Sequence, residues 1–360
     1  MAIDPVLVGL DRRDPAALAR AISLVENQRD DYERVLAHAH ARLGRGGTRR
    51  VGITGPPGAG KSTLTERLIQ HYRGQELRVG VIAVDPTSPF TGGALLGDRI
   101  RMESASHDPG VFIRSMATRG AHGGLATTTE EVADLLEAFG FDRILIETVG
   151  VGQTELDVAR TAETTVLVLV PESGDGIQTL KAGVMEIADV YAINKSDRPG
   201  ADKLRTEVEV MLGIRRGNAF RHVARHHRPT PSDGRTVGPT DRRLRSLPSD
   251  SPTVGPSDAW EPPVIAMIAS RGEGVAELTH ALDRHHRQLE ASGRLAARRR
   301  ERLVQRTRAA LERGMRQWIA ATAQAEELLA RRLDDLVDGR LSPYDVAAEI
   351  LDQMKTGAGR

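Results

Sequence analysis

An α/β fold, built as a mostly parallel sheet with helices on both faces, is predicted by three features of the chain. Seven short β-rich runs, at 51–54, 79–85, 111–114, 144–148, 165–170, 190–194 and 264–268, are separated by stretches of helical apolar spacing. Short apolar strands alternating with helices are what a parallel sheet covered on both faces requires. The first run, Val51-Gly52-Ile53-Thr54, leads straight into Gly55-Pro56-Pro57-Gly58-Ala59-Gly60-Lys61-Ser62, and a helical pattern starts near Thr63. Active groups in such sheets lie at the carboxyl ends of the strands, so this loop is the first place to look for chemistry.

Ahead of the loop, Leu18, Ala21, Ile22, Val25, Val35 and Leu36 recur at helical spacing among charges. This predicts two amphipathic helices in an N-terminal extension over 1–48, with turns or starts at Asp14-Pro15 and Asn27-Gln28. The main domain is expected over 49–290. Within it, about 214–260, Pro, Ser, Asp, Arg and Gly dominate, and a ten-residue tract at 232–241 is nearly repeated at 249–258. So polar an insertion buries too little apolar surface to offset its ordering entropy and is expected to be disordered. His222, His226 and His227 lack carboxylate or thiolate companions and read as a solvated basic segment. From Gly274 to about Met354 the pattern is helical again, and 291–360 reads as a C-terminal helical dimerisation region. Its cluster of Arg294, Arg298, Arg299, Arg300, Arg302, Arg306 and Arg308 reads as a solvated face balanced by Glu301 and Glu312.

Composition narrows the chemistry. Lys plus Arg number 50 against 49 Asp plus Glu, so no global charge argues for nucleic acid or a membrane surface. The absence of Cys excludes disulfides, iron–sulfur clusters, thiolate zinc sites and cysteine nucleophiles. The first residues show no basic segment followed by an apolar run, and nowhere do 18 apolar residues follow one another. A soluble, cytoplasmic protein is expected.

The glycine-rich loop has the spacing of a phosphate cradle. Backbone N–H groups can point at phosphates only where Gly55, Gly58 and Gly60 leave room, and the helix that follows adds its own unpaired N–H groups. In such a loop Lys61 reaches the β- and γ-phosphates and the Ser62 hydroxyl ligates Mg²⁺, so a nucleoside triphosphate is implied. Asn194-Lys195-Ser196-Asp197 follows the sixth run. There the Asn side chain can meet a base edge, the Lys stem can cover the ring, and the Asp197 carboxylate can accept from two guanine donors that adenine lacks. After the seventh run, the Ala269 N–H could contact the guanine carbonyl. Glu147-Thr148-Val149-Gly150 ends the fourth run as a D-x-x-G switch with Glu for Asp, its Gly150 able to swing toward the γ-phosphate. Val151 stands where a water-orienting Gln is used elsewhere, and Gln153 comes two residues later.

Longer motifs carry a resemblance. Val84-Asp85-Pro86-Thr87-Ser88-Pro89-Phe90-Thr91-Gly92-Gly93, Leu96-Gly97-Asp98-Arg99-Ile100-Arg101-Met102 and Glu147-Thr148-Val149-Gly150-Val151-Gly152-Gln153 resemble the MeaB/ArgK-type GTPases, which chaperone adenosylcobalamin-dependent acyl-CoA mutases. The resemblance runs from about 50 to 197 and resumes at Pro263. It implies a P-loop NTPase fold of the SIMIBI type, GTP and GDP with Mg²⁺ as cofactors, and a homodimer. It implies a mutase partner, methylmalonyl-CoA mutase above all, with an adenosyltransferase as a further candidate. Ser62 with acids among Asp85, Asp98 and Glu147 would organise Mg²⁺ and the attacking water, and three carboxylates near a triphosphate themselves argue for a cation. Lys61, Asp98, Glu147 and Lys181 are then the catalytic candidates. Lys181 ends the family's mobile loop at 171–181, where this chain departs from many members at Gly176 and Ala182. The competing readings are a nickel-insertion GTPase, disfavoured by the missing Cys, and a protein kinase.

Overall fold

A computed structural model describes residues 3–44, 47–86, 107–118, 124–148, 154–171, 182–215, 260–321, 323–338 and 340–357. All seven anticipated strands are present: β1 (Arg49–Thr54), β2 (Val79–Pro86), β3 (Val111–Thr118), β4 (Arg143–Thr148), β5 (Thr164–Leu169), β6 (Val190–Ile193) and β7 (Val264–Ala266). They form one sheet in the order β3-β2-β4-β1-β5-β6-β7, with every neighbouring pair parallel. β1 lies between β4 and β5, where the chain changes from building one side of the sheet to building the other. Ligands in open parallel sheets bind at that switch, outside the strands' carboxyl ends, and there the register sets Ile53 of β1 beside Glu147 of β4.

Successive residues of each strand bury on opposite faces. Val51, Ile53, Val81, Leu145, Val166 and Val168 pack with Leu64, Leu68 and Tyr72 of the helix Lys61–Arg73 and with Leu278 and Leu282 of the helix Val275–Ala291. On the other face Ile82, Val84, Ile144 and Ile146 pack with Leu135, Leu136 and Phe139 of the helix Gly124–Phe139. Further along the sheet, Leu167, Leu169 and Tyr191 pack with Leu204 and Val208 of the helix Ala201–Arg215. Gly52 interrupts the apolar run of β1 because a helix presses there: a Cβ would stand 2.6 Å from Val158 Cγ1 and 3.0 Å from Ala162 Cβ.

The N-terminal extension holds three helices, not two: Asp4–Asp11, Pro15–Glu26 and Tyr32–His40. The extra break falls at Asp14-Pro15, where Asp14 caps the second helix by accepting from the Ala16 N–H at 2.9 Å and Pro15 sets its first turn. Leu18, Ile22, Val25 and Val35 share one core with Leu135, Leu136 and Phe139, so these helices pack against the helix Gly124–Phe139. They belong to one compact unit, residues 1–295.

Residues 296–360 form a second unit. In it the helices Ala323–Val337 and Pro343–Gly357 are joined by Arg332, whose Nε and one terminal nitrogen reach the two Glu349 oxygens at 3.1 and 2.8 Å. The second of these helices opens with a reciprocal cap between Ser342 and Asp345. On the helix Arg294–Ala321, Leu303, Val304, Leu311 and Met315 are exposed.

At the amino end of the sheet, β1 is tied to a covering helix by a buried ionic triad. Arg50 donates to Asp134 Oδ1 at 2.7 Å and Glu137 Oε2 at 2.6 Å, and Glu137 also accepts from the Gly44 N–H at 3.0 Å. Burial alone would lower the Arg50 pKa, but the two carboxylates outweigh it and raise the value above the usual one. Truncating Arg50 leaves two carboxylates buried without their cation. Arg50→Ala is therefore expected to cost about 3–5 kcal/mol of unfolding free energy, measured by chemical denaturation, and a near-neutral result would show that the acids escape to solvent.

Candidate nucleotide site

Between Thr54 and Lys61 the chain makes a turn that only glycine can follow at three places. Gly55 has φ 142°, Gly58 74° and Gly60 88°, values that cost a side chain dearly. A Cβ on Gly55 would stand 2.2 Å from the Val168 carbonyl oxygen, and one on Gly60 would stand 2.4 Å from Asn194 Nδ2. Gly60 is also the N-cap of the helix Lys61–Arg73 and offers no side-chain acceptor, so the first N–H groups of that helix are not capped by it. Ala59 is buried beneath the turn, while Pro57 and Thr63 are exposed.

Lys61 is buried and folds back over the loop, its Nζ donating to the carbonyls of Gly55 at 2.8 Å and Pro56 at 3.0 Å. Next to it the Ser62 hydroxyl donates to Glu147 Oε1 at 2.6 Å. The other Glu147 oxygen lies 2.7 Å from the Thr65 hydroxyl, which is also 3.0 Å from the Lys61 carbonyl; charge favours the carboxylate. Glu147 is only 2% exposed, at the end of β4. Ser62 and Glu147 together present hard oxygen donors of the kind Mg²⁺ takes. Among the described residues no group of three His, Cys, Asp or Glu side chains could hold a metal.

On the base side the structure shows what the expected residues are held by. Asn194 is buried, and its amide is engaged within the protein: Nδ2 donates to the Ala59 carbonyl at 2.8 Å and Oδ1 accepts from the Ala269 N–H at 3.0 Å. Its first task is to tie the phosphate loop to the loop after β7. The Ala269 N–H, expected at the guanine carbonyl, is spent on this bond. Within the same turn the Arg271 and Gly272 N–H groups donate to Ile268 and Ala269 carbonyls at 2.9 and 3.1 Å, so both are spent inside the turn. Lys195 adopts φ 56°, turning the chain so that Asp197 is exposed, 3.8 Å from the Arg271 guanidinium.

Two contributing residues were missed in the sequence. Thr65 lies three positions after Ser62, on the same helix face, and that spacing could have flagged it. Arg67 could not be found this way, because its partners are backbone groups about two hundred residues away: Nε donates to the Ala269 carbonyl at 3.1 Å and a terminal nitrogen to the Ser270 carbonyl at 2.6 Å. Asp98, Gly150 and Lys181, with Val151 and Gln153, lie outside the described residues, as does most of the 214–260 insertion. β2 carries the Asp85 backbone to its carboxyl end, paired with Ala117, and the Asp85 side chain too lies outside the description.

Comparison with known proteins agrees with this architecture. The family described as methylmalonyl Co-A mutase-associated GTPase MeaB matches residues 18–324. A putative GTPase of Pyrococcus horikoshii is 40% identical over 353 residues, which is 98% of each chain. The GTPase ArgK of Escherichia coli is 31% identical over 349 residues, 96% of this chain and 95% of its own. The mitochondrial methylmalonic aciduria type A homolog of Mus musculus is 36% identical over 312 residues, 82% of this chain and 66% of its own. Among solved structures, that of a LAO/AO transport system kinase aligns with a TM-score of 0.61 at 26% identity, covering 98% of this chain and 97% of that one.

Thr65→Val keeps the shape of the side chain but removes a donor from a buried carboxylate. The unfolding free energy should fall by about 1–3 kcal/mol in urea titration. A change within about 0.5 kcal/mol, the range of an inert surface substitution, would show that Glu147 does not rely on Thr65.

Proposed function

The chain belongs to the MeaB family of GTPases, and on that premise we propose that it couples GTP binding and hydrolysis to the loading of adenosylcobalamin onto, and protection of, a cobalamin-dependent acyl-CoA mutase, most specifically methylmalonyl-CoA mutase. The observation that carries the switch is the buried hydrogen bond from Ser62 to Glu147 at 2.6 Å. Glu147 heads the Glu147-Thr148-Val149-Gly150 motif, so whatever claims the Ser62 hydroxyl also bears on the segment that follows β4. Mg²⁺, arriving with the triphosphate, would supply the positive charge that lets phosphate oxygens stand beside Glu147. Ser62 would then turn its oxygen to the metal and give up its bond to Glu147, while Lys61 would leave the loop carbonyls for the phosphates. Asp85 and Asp98 are proposed as the other acids around the metal and the attacking water.

Base selection is assigned to Asp197 as acceptor for the two guanine donors, with Lys195 covering the ring and the Ser270 N–H at the carbonyl. Because Val151 cannot orient water, hydrolysis by the isolated protein should be slow, and Lys181 is proposed to complete the site when the mutase engages the 171–181 loop. The exposed apolar side chains of the helix Arg294–Ala321 support a homodimer. Among the described residues no helix is long and apolar enough to cross a membrane, in keeping with a cytoplasmic site of action. An adenosyltransferase is a second candidate partner.

Phosphate release with and without purified methylmalonyl-CoA mutase tests the proposal. Slow basal turnover that rises several-fold with the mutase is expected, and fast turnover indifferent to it would sink the partner-dependent mechanism. For the base site, Asp197→Asn should weaken GTP about ten- to hundredfold, the loss of a charged hydrogen-bonding pair. It should also improve relative affinity for xanthosine triphosphate. An unchanged GTP to XTP ratio would remove Asp197 from the site.

A further inference from the structure

Arg67 lies on the helix that opens at the phosphate loop, yet its guanidinium is committed to the loop after β7. Nε donates to the Ala269 carbonyl at 3.1 Å, one terminal nitrogen to the Ser270 carbonyl at 2.6 Å, and the other to Gln70 Oε1 at 2.9 Å. Two adjacent edges of a rigid planar fork thus hold two successive peptide units, which a flexible ammonium cannot reproduce. The planarity of the trans peptide gives this a direction. In each unit the N–H points opposite to the C=O, so fixing the Ala269 carbonyl on Arg67 sends the Ser270 N–H away from that helix. Fixing the Ser270 carbonyl likewise aims the Arg271 N–H, which donates to Ile268 at 2.9 Å. From the opposite side Asn194 holds the Ala269 N–H at 3.0 Å and the Ala59 carbonyl at 2.8 Å. Ala269 is therefore clamped at both its N–H and its C=O, each time by a group tied to the phosphate loop or its helix.

We propose that Arg67 is a positioning residue for base selection: by holding the carbonyls of Ala269 and Ser270 it aims the Ser270 N–H at the base carbonyl that guanine has and adenine lacks. The inference rests on the base-site reading given above. An aimed donor rewards a carbonyl and opposes the amine that adenine carries at the same place, so the effect lies in discrimination and not in phosphate affinity.

The test compares wild type, Arg67→Ala and Arg67→Lys by equilibrium binding of GDP, IDP and ADP, with steady-state GTP turnover and thermal melting alongside. In Arg67→Ala, affinity for GDP and IDP should fall together by about tenfold, the loss of one aimed hydrogen bond. ADP affinity should hold within twofold, and the GTP KM should rise with kcat little changed. Arg67→Lys, able to reach one carbonyl, should recover part of the loss. Equal weakening of GDP and ADP, or unchanged GDP binding in a folded variant, would overturn the role. If the alanine variant melts early, Arg67→Gln, which keeps one donor, is held to the same criteria. Asp197→Asn separates the two levels. A normal shift toward xanthine nucleotides with Arg67→Ala indifferent to the base overturns the Arg67 role alone, whereas no shift in Asp197→Asn overturns the base-site reading and this inference with it.

Discussion

The side chain on which the site most depends is the buried Asn194 amide. It joins three loops that leave the sheet at its carboxyl edge: its own after β6, the phosphate loop through Ala59, and the loop after β7 through Ala269. Each bond satisfies a backbone group that burial would otherwise leave costly, and in a low-dielectric setting such bonds are strong when made and expensive when lost. The Gly60 position reflects the same constraint, since a Cβ there would collide with the Asn194 nitrogen. Phosphate recognition and base recognition are thus parts of one hydrogen-bonded frame, so distortion at either end is felt at the other.

The catalytic edge is organised differently. Around Glu147 the bonds run to hydroxyls of Ser62 and Thr65 on the helix that follows the phosphate loop. Hydroxyls can rotate and exchange partners, whereas the backbone groups held by Asn194 cannot. Under the proposed function, the side assigned to the base would stay still and the side assigned to the γ-phosphate would rearrange, the division of labour a nucleotide switch needs.

How much of this was legible in the sequence depended on whether an interaction is local. The seven strands could be read because each is a short apolar run, and the phosphate loop because glycine is demanded by backbone angles at fixed spacing. The third N-terminal helix was missed although Asp14-Pro15 marks its boundary, since a capping Asp before Pro reads equally as a turn inside a longer segment. Asn194 was found in the sequence, but its backbone partners were not: an amide can face a base or a backbone, and only the fold shows Ala59 and Ala269 within its reach. Arg67 left no local trace, because its acceptors are carbonyls, which every residue carries.

The one clear departure in the switch motif, Glu147 in place of Asp, acquires a physical account from the same geometry. β4 brings residue 147 alongside Ile53, and from there the side chain must cross to the first turn of the neighbouring helix, where its two oxygens meet Ser62 and Thr65 one helical turn apart. An Asp side chain is one methylene shorter, so from the same backbone position its carboxylate would end farther from these two hydroxyls. The substitution and the hydroxyl at position 65 therefore make sense as a pair: Thr65 meets one carboxylate oxygen while Ser62 meets the other.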